Sequence, residues 1–386
     1  MWIELSEFNI KLFIPLIYPI FYRIDFRIRT TFFTDENELF KGFRYFMGHS
    51  LNFIPYLIIK YRTRKKRKNN EQQNENKEEN ENDNELGKLM KKISRKAKIT
   101  KALFLFLLSC ISYVIILYRH LLLKENYLIM KQSMGIFFEI SVFIALSYFV
   151  LNQKLHKHHF IFSGIIAFIL IILFIVTLFY MDTSDIIWSL LYYFFFSLFF
   201  GSLDVLGKKY MINYFATPYF LMTFIGIIGV FLLLISDFFI YIFDIDEKGT
   251  IIGIKDNITN ISLIFILILD IIIQWAWITG IWLTIYYFTP CHYFISEYIS
   301  EYIYYIMNAI NKKEDLYSNI NIIIFSTSFF INFCCCLIFN EVIILNFCKL
   351  DYNTRKRIQE RSSLENQNNS LYGNMIEQDE NSEEEL

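Results

Sequence analysis

Long apolar stretches almost free of charge are the feature that most constrains how this chain can fold. A helix needs roughly 20 apolar residues to cross about 30 Å of hydrocarbon, and nine stretches approach or exceed that length. They comprise residues 43–59, 102–123, 133–151, 160–180, 186–206, 219–243, 261–283, 285–310 and 320–347. Because stretches such as 102–117 leave no polar face for water, the sequence predicts an all-α polytopic membrane helix bundle and excludes a soluble enzyme.

The number of spans depends on two places in the chain. A tenth candidate, residues 8–22, is short, contains Lys11 and two prolines, and runs into a charged segment. It either spans the membrane or lies in the interface. Residues 261–310 are too long for one span, and the Thr289-Pro290 step predicts a turn there because a residue before proline disfavours helical geometry. We therefore expect about ten transmembrane helices.

The distribution of Lys and Arg predicts the orientation. Of the 386 residues, 55% are hydrophobic and 19% are charged, and the basic residues are concentrated in segments 60–68, 88–101 and 349–357. Short basic loops stay in the cytosol, so these segments and the carboxyl terminus are predicted to be cytosolic. The sequence favours a multi-pass protein of an endomembrane (Golgi, endoplasmic reticulum or vacuole) or of the plasma membrane.

Two polar segments interrupt or follow the apolar stretches. Residues 69–85 are nearly all Asn, Gln and Glu, and residues 362–386 end in NSEEEL. Such segments bury too little apolar surface to fold, so both are predicted to be disordered. The chain then divides into a first transmembrane half (1–59 and 102–180), a basic and then disordered cytosolic loop (60–101), a second transmembrane half (186–347) and a disordered cytosolic tail (348–386).

The two halves carry a weak internal similarity. If residues 8–22 are counted as the first span, 43–59 is the second and 219–243 is the seventh. Residues 46–48 (FMG) of the second span and 224–226 (FIG) of the seventh lie at equivalent depth, 178 positions apart. Alignment of the fourth span with the ninth pairs Glu139 with Glu297. Two five-helix halves with an odd number of spans each would be inverted repeats. Chance similarity between two packed apolar helices explains these residues equally well.

A family resemblance favours the repeat interpretation. Residues 201–205 (GSLDV) are followed by 208–211 (KKYM), by Pro218-Tyr219 and by a glycine-containing stretch, 224–229. This series resembles eukaryotic members of the drug/metabolite transporter superfamily. Residues 151–159 and 288–292 resemble the turn before the fifth span and the turn opening the ninth in those proteins. The similarity covers roughly residues 40–350 in architecture. A resemblance to the nucleotide-sugar-transporter-like branch implies a secondary carrier or exchanger of a small polar or anionic metabolite.

Polar side chains inside the spans are candidates for substrate binding, because a charge at the membrane centre costs about 2.5–3.5 kcal/mol. Four polar residues of the ninth span follow one another at steps of four, three and four, and therefore share one helix face. The predicted substrate-binding residues are Glu139, Glu297, Glu301, Tyr304, Asn308, His49 and Asn52. Alternatively, each carboxyl is protonated or hydrogen-bonded and only specifies helix packing. That packing role is our interpretation of Asp270, which pairs at i, i+4 with Gln274.

The histidine cluster 156–159 (HKHH) suggests a metal, since imidazole is a common ligand. One cluster does not supply the separated His motifs of a membrane di-iron enzyme, so we interpret it as a cationic cytosolic turn. Glu341 is expected to cap or anchor the end of the tenth span. No Walker A, GxSxG or HExxH motif occurs in the sequence.

These patterns favour a carrier over two alternatives. We expect no catalytic residue, metal or cofactor, and we expect a small-molecule substrate and the lipid bilayer, with no nucleic acid, as partners. The first alternative is a non-transporting membrane adaptor that presents its cytosolic loop and tail. The second is a membrane-embedded enzyme with Glu139 or Glu297 as a general base.

Overall fold

The computed structural model describes residues 3–5, 38–74, 84–122, 136–152, 156–178, 183–243, 261–293, 319–339 and 343–345, with single positions between 14 and 28, residues 296 and 341, and parts of 352–363. In these ranges the chain forms long helices and a pair of short strands. The elements are β1 (Ile3–Leu5), α1 (Glu38–Ser50), α2 (Phe53–Asn74), α3 (Asn84–Leu122), α4 (Ile136–Leu151), α5 (Lys157–Leu178), α6 (Thr183–Tyr214), α7 (Pro218–Ile242), α8 (Ile261–Tyr287), α9 (Asn319–Phe339) and β2 (Ile343–Leu345).

Four helices of the described chain are long and apolar enough to cross a membrane: Lys98–Tyr118, Ile186–Tyr214, Pro218–Ile242 and Ser262–Tyr287. Their surfaces are the reverse of those in a water-soluble protein. On α7 and α8, Phe231 and Phe265 are exposed whereas Asp237 and Gln274 are buried. An apolar exterior around polar interior groups is the arrangement expected for helices that face lipid. The described part of the chain is therefore an all-helical bundle of the membrane type.

Several predicted boundaries match the structure. The seventh span, predicted over 219–243, is α7, which begins where Thr217 accepts a hydrogen bond from the Phe220 amide and Pro218 occupies the first turn. Both are favourable residues for a helix start. The predicted turn at Thr289-Pro290 is confirmed, since α8 ends at Tyr287 and helical geometry resumes at Pro290.

Other boundaries differ from the prediction. The stretch 43–59 is not one helix, because α1 ends at Ser50 and α2 begins at Phe53. The basic run 60–68 and the polar residues 69–74 continue α2, since Lys, Arg and Gln are good helix formers; residues 75–83 lie outside the described residues. Helix α6 continues to Tyr214 instead of turning after residue 206, and the stretch 320–347 is a helix to Phe339 followed by strand β2.

The directions of the helices follow from their contacts. Helices α1 and α7 are antiparallel, because Phe46 lies at Gly229 whereas Ser50 lies at Gly226. Helices α1 and α8 are parallel: the buried Arg44 contacts Asp270, and further along both helices Asn52 contacts Thr279. Ring contacts at two points likewise make α3 antiparallel to α6 and α4 parallel to α6. The start of α5 lies at the end of α9, where the His159 ring packs 4.6 Å from the Phe339 ring.

Very close packing joins α1, α7 and α8 at the centre of the bundle. A Cβ atom added at Gly226 would lie 2.4 Å from the Ser50 backbone nitrogen, and one added at Gly229 would lie 2.2 Å from the Phe46 ring. A Cβ atom at Gly48 would lie 3.2 Å from the backbone nitrogen of Trp275 in α8. Small residues at helix crossings allow the backbones to approach, which is the usual way in which membrane helices associate.

Gly226→Ala should destabilise the protein because the neighbouring Ser50 backbone cannot move aside. Overpacking a tight contact costs about 1–3 kcal/mol, so we expect a lower Tm in thermal unfolding of the detergent-purified chain. Gly164→Ala is the matched control: no atom lies within 4 Å of the added Cβ, and alanine favours a helix by about 1 kcal/mol. Equal Tm values for the two variants would contradict the packing argument.

Candidate functional site

A buried ion pair joins the middle of α1 to the first half of α8. The Arg44 Nη1 donates to Asp270 Oδ2 at 2.8 Å, and both side chains are fully buried. The Arg44 guanidinium also lies 5.0 Å from the centre of the Phe40 ring. Two charges taken from water are tolerated when they are paired at hydrogen-bonding distance. Asp270 was predicted to be a packing residue. Arg44 was not predicted, although a charged residue inside the apolar stretch 43–59 is a signal that could have identified it.

The interruption between α1 and α2 contains two of the predicted site residues. At Leu51-Asn52 the chain leaves the helix, and the Asn52 side-chain amide donates to the His49 carbonyl at 3.3 Å. The Thr279 hydroxyl of α8 donates to Asn52 Oδ1 at 3.1 Å. His49 and Asn52 are both fully buried. The predicted pair is therefore brought together at a helix break, with Thr279 as a partner that the sequence did not indicate.

One ring nitrogen of His49 forms a hydrogen bond, and the other has none within the described part of the chain. Its Nδ1 lies 3.1 Å from the Tyr45 carbonyl, so Nδ1 carries the proton of that hydrogen bond. The ring packs at 4.4 Å from the Tyr45 ring. Its Nε2 is buried and makes no hydrogen bond within the described part of the chain. Buried polar atoms are normally satisfied, so this acceptor nitrogen is a candidate contact for a bound molecule.

The other predicted site residues are placed differently. Glu139 lies in the first turn of α4, half-buried, and not in the middle of a span. An acidic side chain there is favoured by the positive end of the helix dipole. The remaining predicted site residues lie outside the described residues; they are Glu297, Glu301, Tyr304 and Asn308. The polar helix face that they were predicted to form also lies outside the described residues.

A groove of about 260 Å³ opens beside the break, at the start of α7. It is lined by Tyr56, Ile59, Lys60, Thr63 and Arg64 of α2 together with Thr217. The Lys60 ammonium lies 5.4 Å from the centre of the Tyr56 ring. Two cationic side chains beside the amino end of α7 give this groove a positive potential.

The histidine cluster is largely buried, which corrects the prediction of a cationic turn for two of its members. His158 is 3% and His159 is 5% exposed, because α5 begins at Lys157 and turns both rings into the contact with α9. Their ring centres lie 3.9 Å apart. His158 Nε2 is 3.5 Å from Glu341 Oε1. Lys157, by contrast, is exposed.

Two further histidines surround this group. Burial lowers the pKa of the half-buried His156 in the α4–α5 turn, and nearby His158 lowers it further while Glu341 raises it. His292, after the α8 turn, packs 5.4 Å from the His159 ring and holds the Thr289 hydroxyl with Nδ1 at 2.8 Å. The sequence placed Glu341 at a helix end, which the structure agrees with, but did not bring it to the histidines.

Comparison of the sequence with known proteins finds no match. No protein-family model matches the chain, and no curated protein does. The arrangement of its own side chains is therefore what bears on its function.

Breaking the Arg44–Asp270 pair should be strongly destabilising. Arg44→Met or Asp270→Leu leaves one buried charge without its partner, which costs about 3–5 kcal/mol, whereas the double variant removes both charges and should recover much of that loss. Chemical unfolding in detergent measures the three variants. Arg357→Gln is the control, since it breaks the Arg357–Glu360 pair, 2.8 Å long and about 40% exposed, and should cost under about 1 kcal/mol. Equal losses for Asp270→Leu and Arg357→Gln would contradict the role assigned to the buried pair.

Proposed function

We propose that the protein is a secondary carrier or exchanger of the drug/metabolite transporter type, which moves a small polar or anionic metabolite by alternating access. The observation that carries the proposal is the interrupted helix at Leu51-Asn52, buried at the crossing of α1, α7 and α8. Substrate sites in carriers are typically formed by discontinuous helices near the bilayer midplane, where freed backbone groups and polar side chains face the bound molecule. His49 and Asn52, with Thr279 of α8, supply such groups here.

The contacts between helices support two inverted repeats. The second and seventh spans, equivalent under the repeat, correspond to α1 and α7, which pack against each other at Gly226 and Gly229. The fourth and ninth spans, also equivalent, approach each other where the Phe143 ring packs 6.3 Å from the Tyr293 ring. Elements related by a two-fold axis contact each other when they lie beside that axis. The contacts within both pairs are therefore consistent with the proposed axis.

The helix directions support ten passes through the membrane. Strand β1 pairs with β2, so Ile3 lies at the end of the bundle where α9 ends, whereas Ile28 packs with Phe40 and Leu267 near the opposite end. These positions are compatible with one crossing before α1, as predicted for residues 8–22. A second crossing, predicted over residues 285–310, would bring the total to ten; of that stretch the structure describes residues 285–293 and 296.

The basic groove fits an anionic substrate. In the predicted topology Lys60 and Arg64 lie on the cytosolic side, one helical turn apart on α2, next to the segment that contains Asn52. Charges of one sign around an entrance raise the local concentration of oppositely charged molecules. A metabolite carrying phosphate or carboxylate groups would be concentrated there before it reaches the helix break.

Substitutions at the break and on the ninth span should reduce transport without loss of protein. Purified chain in proteoliposomes is tested with a panel of labelled nucleotide sugars, sugar phosphates and dicarboxylates. Asn52→Ala and Thr279→Val remove polar contacts at the break, and Glu297→Gln and Glu301→Gln remove charge while keeping shape; each should lower the uptake rate by about tenfold or more, the effect of losing roughly 1.4 kcal/mol of binding.

The control for these variants is Glu360→Gln, which removes a half-exposed carboxylate near the carboxyl end and should transport at the wild-type rate. Normal uptake by both Asn52→Ala and Glu297→Gln would show that neither residue belongs to the substrate site. A folded wild-type protein that moves no member of the panel would oppose the carrier assignment and favour the adaptor.

Labelling of single cysteines tests the topology. In a background without the native cysteines, cysteine is introduced at the exposed positions Thr63, Ser363 and Phe243. Basic segments face the cytosol, so positions 63 and 363 should both resist an impermeant maleimide in sealed, correctly oriented vesicles while position 243 reacts. Opposite labelling of positions 63 and 363 would show that the number of crossings between them is odd and would refute the ten-pass arrangement.

A further inference from the structure

Three potential metal ligands from two distant parts of the chain meet beneath the surface where α5 begins and α9 ends. They are His158 and His159 at the start of α5, and Glu341 just after α9. All three are buried, at 3%, 5% and 6% exposure, and one ligand atom from each lies within 4.8 Å of the others. Such a group is not explained by substrate binding at the helix break, which involves α1 and α8.

The backbone at Glu341 has a left-handed conformation that terminates α9. Its φ of 58° lies in the left-handed region, and its amide donates to the Ile338 carbonyl at 3.0 Å to close the end of α9. Glycine or asparagine usually takes this position because other residues are strained there, by about 1–3 kcal/mol. Glu341 bears the strain, and its Oε1 lies 3.5 Å from His158 Nε2.

The chemistry of the three groups suits zinc. Two imidazoles and one carboxylate are a common protein ligand set for Zn²⁺, with a fourth position for water or another side chain. Ligand atoms around tetrahedral Zn²⁺ lie about 3.3 Å apart, given bonds of about 2.0–2.1 Å. The His158–Glu341 distance is already near that value. All three ligand atoms lie within 4.8 Å of one another, so binding draws them together by about 1.5 Å at most. Neither ring nitrogen of His158 makes a hydrogen bond within the described residues.

We propose that His158, His159 and Glu341 bind a divalent transition metal, with Zn²⁺ as the best fit, at the end of the bundle where α5 begins and α9 ends. The metal fastens the turn after α9 to α5. Because β2 follows Glu341 directly, the same bond fixes the position of the β1–β2 pair. In the predicted topology this site faces the cytosol.

Metal binding is coupled to the α4–α5 turn through one hydrogen bond. The His156 backbone amide donates to His159 Nδ1 at 3.2 Å, so in this arrangement the His159 proton is on Nε2. If His159 binds the metal through Nδ1, the metal takes the place of the His156 amide. If it binds through Nε2, the ring proton moves to Nδ1, which can then no longer accept a hydrogen bond from that amide. Either way the bond from His156 breaks, and residues before α5 rearrange when the metal binds.

Metal titration of the full-length protein tests the site. The protein is purified with an affinity tag that contains no histidine, treated with chelator, and titrated with Co²⁺ and Zn²⁺ in detergent. Wild type should bind one equivalent, with the visible d–d absorption of tetrahedral Co²⁺ and without the near-ultraviolet band of a cobalt–thiolate bond, and Zn²⁺ should displace it. Zn²⁺, but not Mg²⁺, should raise the Tm.

Variants separate metal binding from ordinary packing. His158→Gln and Glu341→Gln keep a hydrogen-bonding side chain, and each should weaken Co²⁺ affinity by about 100-fold or more, since losing even an outer partner of a ligand costs about 10- to 100-fold. Both variants should also lose the rise in Tm with Zn²⁺. Glu360→Gln, at an exposed carboxylate, should retain both properties. If wild type binds no equivalent of metal, or if the variants bind it as tightly as wild type, the group is a packing contact and the proposal is wrong.

Discussion

The close approach of α1 to α7 and α8 is the constraint on which the rest of the bundle depends. Gly226 lets the Ser50 backbone come within the space that a side chain would occupy, and Gly48 does the same for α8. Next to this contact α1 ends at Ser50, and the chain turns at Leu51 and Asn52 before α2 begins. The break then brings Asn52 to Thr279, and the parallel run of α8 brings Asp270 to Arg44. Polar groups in lipid must be satisfied internally, and this crossing supplies their partners.

Hydropathy predicts which segments of the chain are buried in lipid, but it does not predict the residue at which a helix ends. The predicted seventh span differs from α7 by one residue at each end, because Thr217 and Pro218 are local signals for a helix start. The stretch 43–59 was predicted to be one span because its apolar residues far outnumber Arg44, His49 and Asn52. Its break depends on helices that lie far away in sequence. The basic run of α2 was assigned to a loop on its charge, although Lys and Arg have high helix propensity.

Some residues of the candidate site could likewise be predicted from the sequence, and others could not. His49 and Asn52 stand out because polar residues are rare in apolar stretches, and their spacing places them on one side of a helix. Arg44 was hidden by its position at the edge of a predicted span. The histidines were assigned to a cationic turn because several of their sequence neighbours are polar or basic. Their burial comes from α9 and from Glu341, which the chain reaches only after four more of the described helices. Nothing in the local sequence around residue 158 encodes that meeting.

The pairing of β1 with β2 has a consequence for biosynthesis. Ile3 is opposite Leu345, so the partner of β1 is made only after helices α1 to α9 have been synthesised. Membrane helices insert one after another, and contacts between distant parts of a chain form late because long loops must close first. Strand β1 therefore has no access to β2 until the helices between them have been made. Its docking is a late step of assembly, and until then its edge is open to pairing with another strand.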